Sequence, residues 1–268
     1  MKMLLRVVSP LFVVAMMLSA IAAVHAQEDI VQPLVFQAAG PTAASIQSTV
    51  DAYRAFIGDP NNGNAPGPLA NGRREINWDG GGSDATTDPV TPFDVFLNTR
   101  GARFTTPGTG LSQAPPSGGA QGGLAVLFNN ETYGNIFATF SPVRLFTPVN
   151  SRITEGSFFV PGTSGATTAT VSGFGAIFTD VDKPNGDKSG KHSTRIDYFD
   201  VDGNLIYTGL VPSSPGDRNL SFFAIAFKDA RIASVRIRTG DAQPGQDDGK
   251  KDIVMMDDFI YSEPQQLP

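Results

Sequence analysis

The stretch 253–264, IVMMDDFIYSEP, limits what this chain can fold into more than any other part of it. Val254, Met256 and Ile260 fill one parity, and Ile253, Met255, Phe259 and Tyr261 fill the other. Strand side chains alternate between two faces, so a strand apolar on both belongs inside a layered β structure and not at its edge. Two adjacent carboxylates, Asp257 and Asp258, interrupt the run. Alternation sends them to opposite faces. Each then needs a partner, because an unpaired buried charge is expensive.

The rest of the chain supplies strands to surround it. LAVLF (124–128), NIFATF (135–140), VRLFTPV (143–149) and ITEGSFFVP (153–161) read as four short strands. TVSGFGAIFTD (170–180) places Gly173 and Gly175 on one parity, where glycine permits another backbone or a ligand to come close. STRIDYFDV and LIYTGLV flank the turn Asp202-Gly203-Asn204 as a hairpin. LSFFAIAF and RIASVRIRTG flank Lys228-Asp229-Ala230 as a second. One helix is expected, over 42–57, because Ile46, Val50, Tyr53 and Ile57 share a face, Thr42 or Ser45 can cap it and Gly58 ends it. Strands at this spacing, with 29 Gly and 20 Pro between them, predict an all-β fold: a jelly-roll-like antiparallel β-sandwich with one N-terminal helix.

The first 26 residues have the pattern of a signal peptide. Lys2 and Arg6 precede an apolar run over 11–24, and Val24-His25-Ala26 is a small-x-small cleavage signal. The alternative is an uncleaved anchor helix. Cleavage after Ala26 would leave 27–268 as a single domain with a loop-rich first part, 27–123, secreted or otherwise extracytoplasmic and without a membrane span. Loss of Lys2 and Arg6 takes the net charge from −6 to −8, which repels phosphate backbones and argues against nucleic acid as a partner. The chain has no cysteine, so disulfides, thiol nucleophiles and cysteine-ligated zinc are excluded.

Four segments resemble a family of uncharacterised exported bacterial proteins: NGRREINWDG at 71–80, SFFVPGT at 157–163, VSGFGAIFTDVD at 171–182 and IVMMDDFIYSEP at 253–264. Some members of that family end in a PEP-CTERM sorting tail, which this sequence lacks. The Asp-Asp-Phe strand is also similar to the last strand of MAM-type and carbohydrate-binding jelly rolls. The first resemblance implies an exported β protein and no particular activity. The second implies a structural calcium tying the final strand to a neighbouring loop.

Two groups of residues carry the chemical expectations. Arg73, Glu75, Asn77, Trp78 and Asp79 combine an aromatic face with hydrogen-bonding groups, which is what a sugar ring and its hydroxyls need. They are the candidate ligand-binding residues for a polysaccharide. The competing reading puts Trp78 in the core and pairs Arg74 with a buried carboxylate. Asp180 and Asp182, at the end of one strand, and Asp257 and Asp258, in the last one, are the candidate oxygen ligands for calcium. The competing reading makes them ordinary capping and hydrogen-bonded carboxylates. Asp200-x-Asp202-Gly203-Asn204 is a hairpin turn rather than a calcium loop. Beyond the leader the only histidine is His192, and no Gly-x-Ser-x-Gly elbow stands before a helix, so nucleophilic catalysis has little to work with. Gly80-Gly81-Gly82 lacks the lysine and helix of a phosphate loop. The expected function is non-catalytic binding of extracellular or cell-surface polysaccharide. The alternatives are a structural protein of the envelope or biofilm matrix without a small ligand, and a polysaccharide-degrading enzyme using Glu75 and Asp79.

Overall fold

The computed structural model describes residues 32–183, 194–245 and 251–267. The expected leader, 1–26, and His192 lie outside them. From Gln32 on, the chain gathers into one unit. It is mostly β, and its strand ladders are antiparallel.

The first sheet holds β1 (Leu34–Gly40), β2 (Arg73–Ile76), β4 (Gly110–Ala114), β5 (Leu145–Val149), β8 (Gly173–Thr179), β11 (Leu220–Ala226) and β13 (Met255–Ser262). Its order is β1-β11-β8-β13-β5-β4, with β2 also paired to β13. The second sheet runs β10 (Leu205–Leu210), β9 (Arg195–Phe199), β12 (Ser234–Arg238), β6 (Ile153–Phe158) and β3 (Ala102–Thr105). Short strands β7 (Ala169–Thr170) and β14 (Gln265–Gln266) pair with each other. All eight residues of β13 are buried. It takes β8 on one side and β2 and β5 on the other, the interior position its double-faced pattern demands.

The main core lies between the sheets. Phe104, Phe146, Phe158, Phe174, Phe178, Tyr198, Val235, Ile237 and Phe259 belong to it. The helix α1 (Ala43–Ile57) covers part of the first sheet's other face, burying Ile46, Val50, Tyr53 and Ile57 against Ile177, Phe222 and Ile260. Gly173 of β8 makes that approach possible. A Cβ at Gly173 would stand 2.9 Å from the Ile57 side chain and 3.0 Å from the Tyr53 hydroxyl. One at Gly175 would stand 2.3 Å from the Ala224 Cβ.

Three expectations are corrected. The segments LAVLF and NIFATF are not strands; they form α3 (Gly123–Leu127) and α4 (Tyr133–Ile136), two short helices. Leu124, Phe128, Tyr133 and Phe137 pack with Leu145, Ile253 and Met255 in a third cluster. Short apolar runs carry no period that separates a strand from a buried helical turn. With α2 (Leu97–Arg100) the described residues contain four helices where one was expected. The third correction is the second hairpin. Strand β11 lies in the first sheet and β12 in the second, so the connection through 228–230 crosses between layers.

Among the described residues no helix is long and apolar enough to cross a membrane.

Candidate functional site

The segment 73–79 does not present one surface. Arg73 and Glu75 lie on one side of β2, half-buried, inside an ion-pair chain. Arg73 Nε donates to Glu75 Oε1 at 2.6 Å, and Arg54 of α1 donates to Glu75 Oε2 at 2.7 Å. Arg73 also pairs with Asp59. Glu75 is thus held by two guanidiniums and clamps β2 to the helix. Arg74, on the opposite parity, is fully buried and forks onto Glu263, 2.6 Å from Nη2 to Oε1. Its Nη1 donates to the carbonyls of Gly63 (2.7 Å) and Ala65 (2.8 Å). This planar two-pronged pairing ties the loop after α1 to the end of β13.

Trp78 is in the core, out of reach of a surface ligand. Its ring stacks on Phe146 with centroids 3.8 Å apart and meets the edge of Phe259 at 4.9 Å. Its Nε1–H donates to the Asp257 carbonyl at 2.9 Å, satisfying the one polar group of a buried indole. Its φ of 65° is left-handed, a conformation that costs a non-glycine residue on the order of 1 kcal/mol. Asn77 is exposed. Asp79 is buried, and its Oδ1 accepts the backbone N–H groups of Val143 (2.6 Å) and Arg144 (2.9 Å).

The four aspartates fall in two separate places. In β13 the register slips between Met256 and Phe259, three residues on β13 spanning two on β8. This bulge defeats strict alternation and lets Asp257 and Asp258 reach the same loop. Ser141 Oγ donates to both carboxylates, and Asp257 Oδ2 also accepts the Phe140 N–H. Arg54 stands 4.0 Å from Asp258. Burial, and then the Asp258 charge, push the Asp257 carboxyl well up from its ordinary range; burial also raises Asp258. Asp180 and Asp182 sit elsewhere, past the end of β8. Asp182 Oδ1 accepts the Gly216 N–H at 2.9 Å, and its own N–H donates to Asp252 Oδ1 at 3.1 Å. Among the described residues no group of three or more histidine or acidic side chains is placed to hold a metal ion.

A different surface combines aromatic rings with hydrogen-bonding groups. The second sheet turns its apolar parity, with Phe104, Phe158, Val235, Ile237, Ile196 and Tyr198, into the core. The other parity forms aligned rows on the outside. One row crosses all five strands: Thr105, Glu155, Arg236, Asp197, Thr208. The next contains Arg103, Ser157, Ser234, Phe199 and Leu205. Arg236 Nη2 pairs with Glu155 at 2.7 Å, and the Thr208 hydroxyl donates to Asp197 at 2.8 Å. Arg236 also lies over the Phe199 ring, 5.7 Å from its centroid, and Arg103 over Phe159 at 5.5 Å. A groove of about 300 Å³ runs along these rows, lined by Thr105, Glu155, Ser157, Phe199, Ser234 and Arg236. A second, of about 360 Å³, shares Ser157, Gly203 and Ser234 with it and adds Phe159 and Val201. The two make a continuous open trough holding two half-exposed aromatic rings, the carboxylates of Glu155 and Asp200, the Arg236 guanidinium and several hydroxyls. The signal for this face is present in the sequence: SVRIR alternates polar with apolar, and RIDY does so ahead of Phe199.

No family model matches the chain, and neither curated proteins nor solved structures provide a match.

Proposed function

We propose that this is an exported, jelly-roll-like protein that binds extracellular or cell-surface polysaccharide, without catalysis, along the trough on the second sheet. The observation that carries the reading is the aligned run Thr105–Glu155–Arg236 lining the trough beside the rings of Phe199 and Phe159. A sugar chain offers alternating C–H faces and hydroxyls. An open, rigid strand surface with rings and pre-paired polar groups suits that repeat, and it suits an extended polymer better than a small molecule, which favours an enclosed pocket.

Affinity gel electrophoresis against a panel of extracellular polysaccharides tests it. At least one polymer should retard the protein. Phe199→Ala and Arg236→Ala should each weaken retention about tenfold, on the order of 1.4 kcal/mol, with Trp78→Phe as a control outside the trough. Retention unchanged in both trough variants, or retardation by no polymer, would refute it.

A structural role in a matrix is favoured by one observation. Strand β1 pairs with β11 on one side only among the described residues, and Leu34, Val35 and the neighbouring Phe56 are exposed. A free strand edge with apolar side chains is a template for a second copy.

A further inference from the structure

The polar face of the second sheet is uneven in charge. Its third row aligns Ile153, Arg238, Arg195 and Leu210. Arg238 and Arg195 therefore stand directly opposite each other on adjacent antiparallel strands, an arrangement of like charges that destabilises a sheet. Arg236 is two residues away on the same face, and Arg152 precedes β6 beside them. Among the described residues these four guanidiniums share the region with two carboxylates, Glu155 and Asp197, on a chain whose net charge is −6.

The four arginines are not equivalent. Arg236 is committed to Glu155 at 2.7 Å and Arg195 to Asp197 at 3.2 Å. Arg152 donates to the Gly240 carbonyl at 2.8 Å. Arg238 makes no hydrogen bond or ion pair among the described residues, and its Nε is buried without a partner. Burial, and then the charges of Arg195 and Arg152, pull its guanidinium below the ordinary arginine range. A half-buried cation facing other cations raises the energy of the protein, and an anion placed among them lowers it.

We propose that Arg238, flanked by Arg195 and Arg152, seats the carboxylate of an acidic sugar unit, so that the polymer bound by this face contains uronic acid. The inference rests on the polysaccharide reading and narrows it. A guanidinium presents two parallel N–H groups that match the two oxygens of a carboxylate, and a charge-assisted pair of this kind is stronger than a neutral hydrogen bond. Charge complementarity also speeds encounter between an acidic polymer and an otherwise acidic protein by giving it one attractive patch.

The test uses polygalacturonate, polymannuronate and polyglucuronate, each against its methyl ester, which keeps the backbone and removes the charge. Titration calorimetry and affinity electrophoresis read the difference at low and at physiological salt. At least one free acid should bind about tenfold more tightly than its ester, and the gap should narrow as salt screens it. Arg238→Gln should bring the acid down to the level of the ester. The same substitution should leave the melting temperature unchanged or raise it, since it removes the repulsion with Arg195. Arg238→Lys should keep part of the preference, because it retains the charge and loses the fork. Equal binding of acid and ester, or a preference that survives Arg238→Gln, would overturn the anion seat. Binding confined to neutral polysaccharides would overturn it too while leaving the face intact. No binding to acidic or neutral polymers would overturn both.

Discussion

Trp78 shows how a single residue can be read two ways and settled only by packing. It lies beside Asn77 and Asp79 in a polar stretch, which suggests a sugar shelf, yet it is fully buried between Phe146 and Phe259. Trp78→Ala should therefore destabilise the protein by about 3–5 kcal/mol in chemical denaturation. Polysaccharide retention per folded molecule should not change. Full stability with lost retention would move Trp78 back to the surface. Asp252 offers a second test at this scale. It is almost wholly buried, its Oδ2 has no partner among the described residues, and burial, with the charges of Asp182 and Asp241, pushes its carboxyl up to about 6. An unfolded aspartate titrates near 3.9. Between these values the folded state holds more protons than the unfolded one, so the contribution to stability is present below pH ~4 and is lost as pH rises toward about 6. Asp257 and Asp258 act in the same direction. Asp252→Asn should flatten the wild-type decline over that window by on the order of 1–3 kcal/mol. Parallel pH curves for the two proteins would show that Asp252 titrates normally.

At the level of elements, strong periodic patterns were legible and short ones were not. The apolar face of α1, with Ile46, Val50, Tyr53 and Ile57, and the interior place of β13 follow directly from spacing. Strands β6, β9 and β12 were legible as well, and the alternation in β9 and β12 marks which sheet leaves a face uncovered. The helices α3 and α4 were not, because five apolar residues fit either state and only burial against Leu145 and Met255 decides. The bulge at Asp257 and Asp258 was equally hidden. Alternation places the pair on opposite faces, and the slip against β8 brings both to Ser141. The trough is hidden for a related reason: the cluster 73–79 is contiguous in the chain, whereas the trough is assembled across β3, β6, β9 and β12 from residues as far apart as Thr105 and Arg236. The edge strand β1 carries its own prediction. If its free edge joins copies of the chain, Val35→Lys should shift a concentration-dependent oligomer to monomer in sedimentation velocity. A wild-type protein that stays monomeric at high concentration would remove the assembly reading.

For the whole molecule, the account is a division of labour between two sheets. The first is covered on its outer side by α1 and by the α3–α4 cluster, and its carboxylates and arginines are spent on internal ties: Arg74 to Glu263, Glu75 to Arg54 and Arg73, Asp79 to the 143–144 backbone. The second keeps ordered polar rows and the trough on its outside. Binding should therefore be felt on one sheet and not on the other. Amide hydrogen exchange, followed with and without a polysaccharide that the protein retains, tests this most directly. The account predicts slower exchange in β6, β9 and β12 on binding, with α1 and its cover on the first sheet unchanged. Protection confined to α1 or to the loop 138–144, with β6, β9 and β12 unaltered, would contradict it.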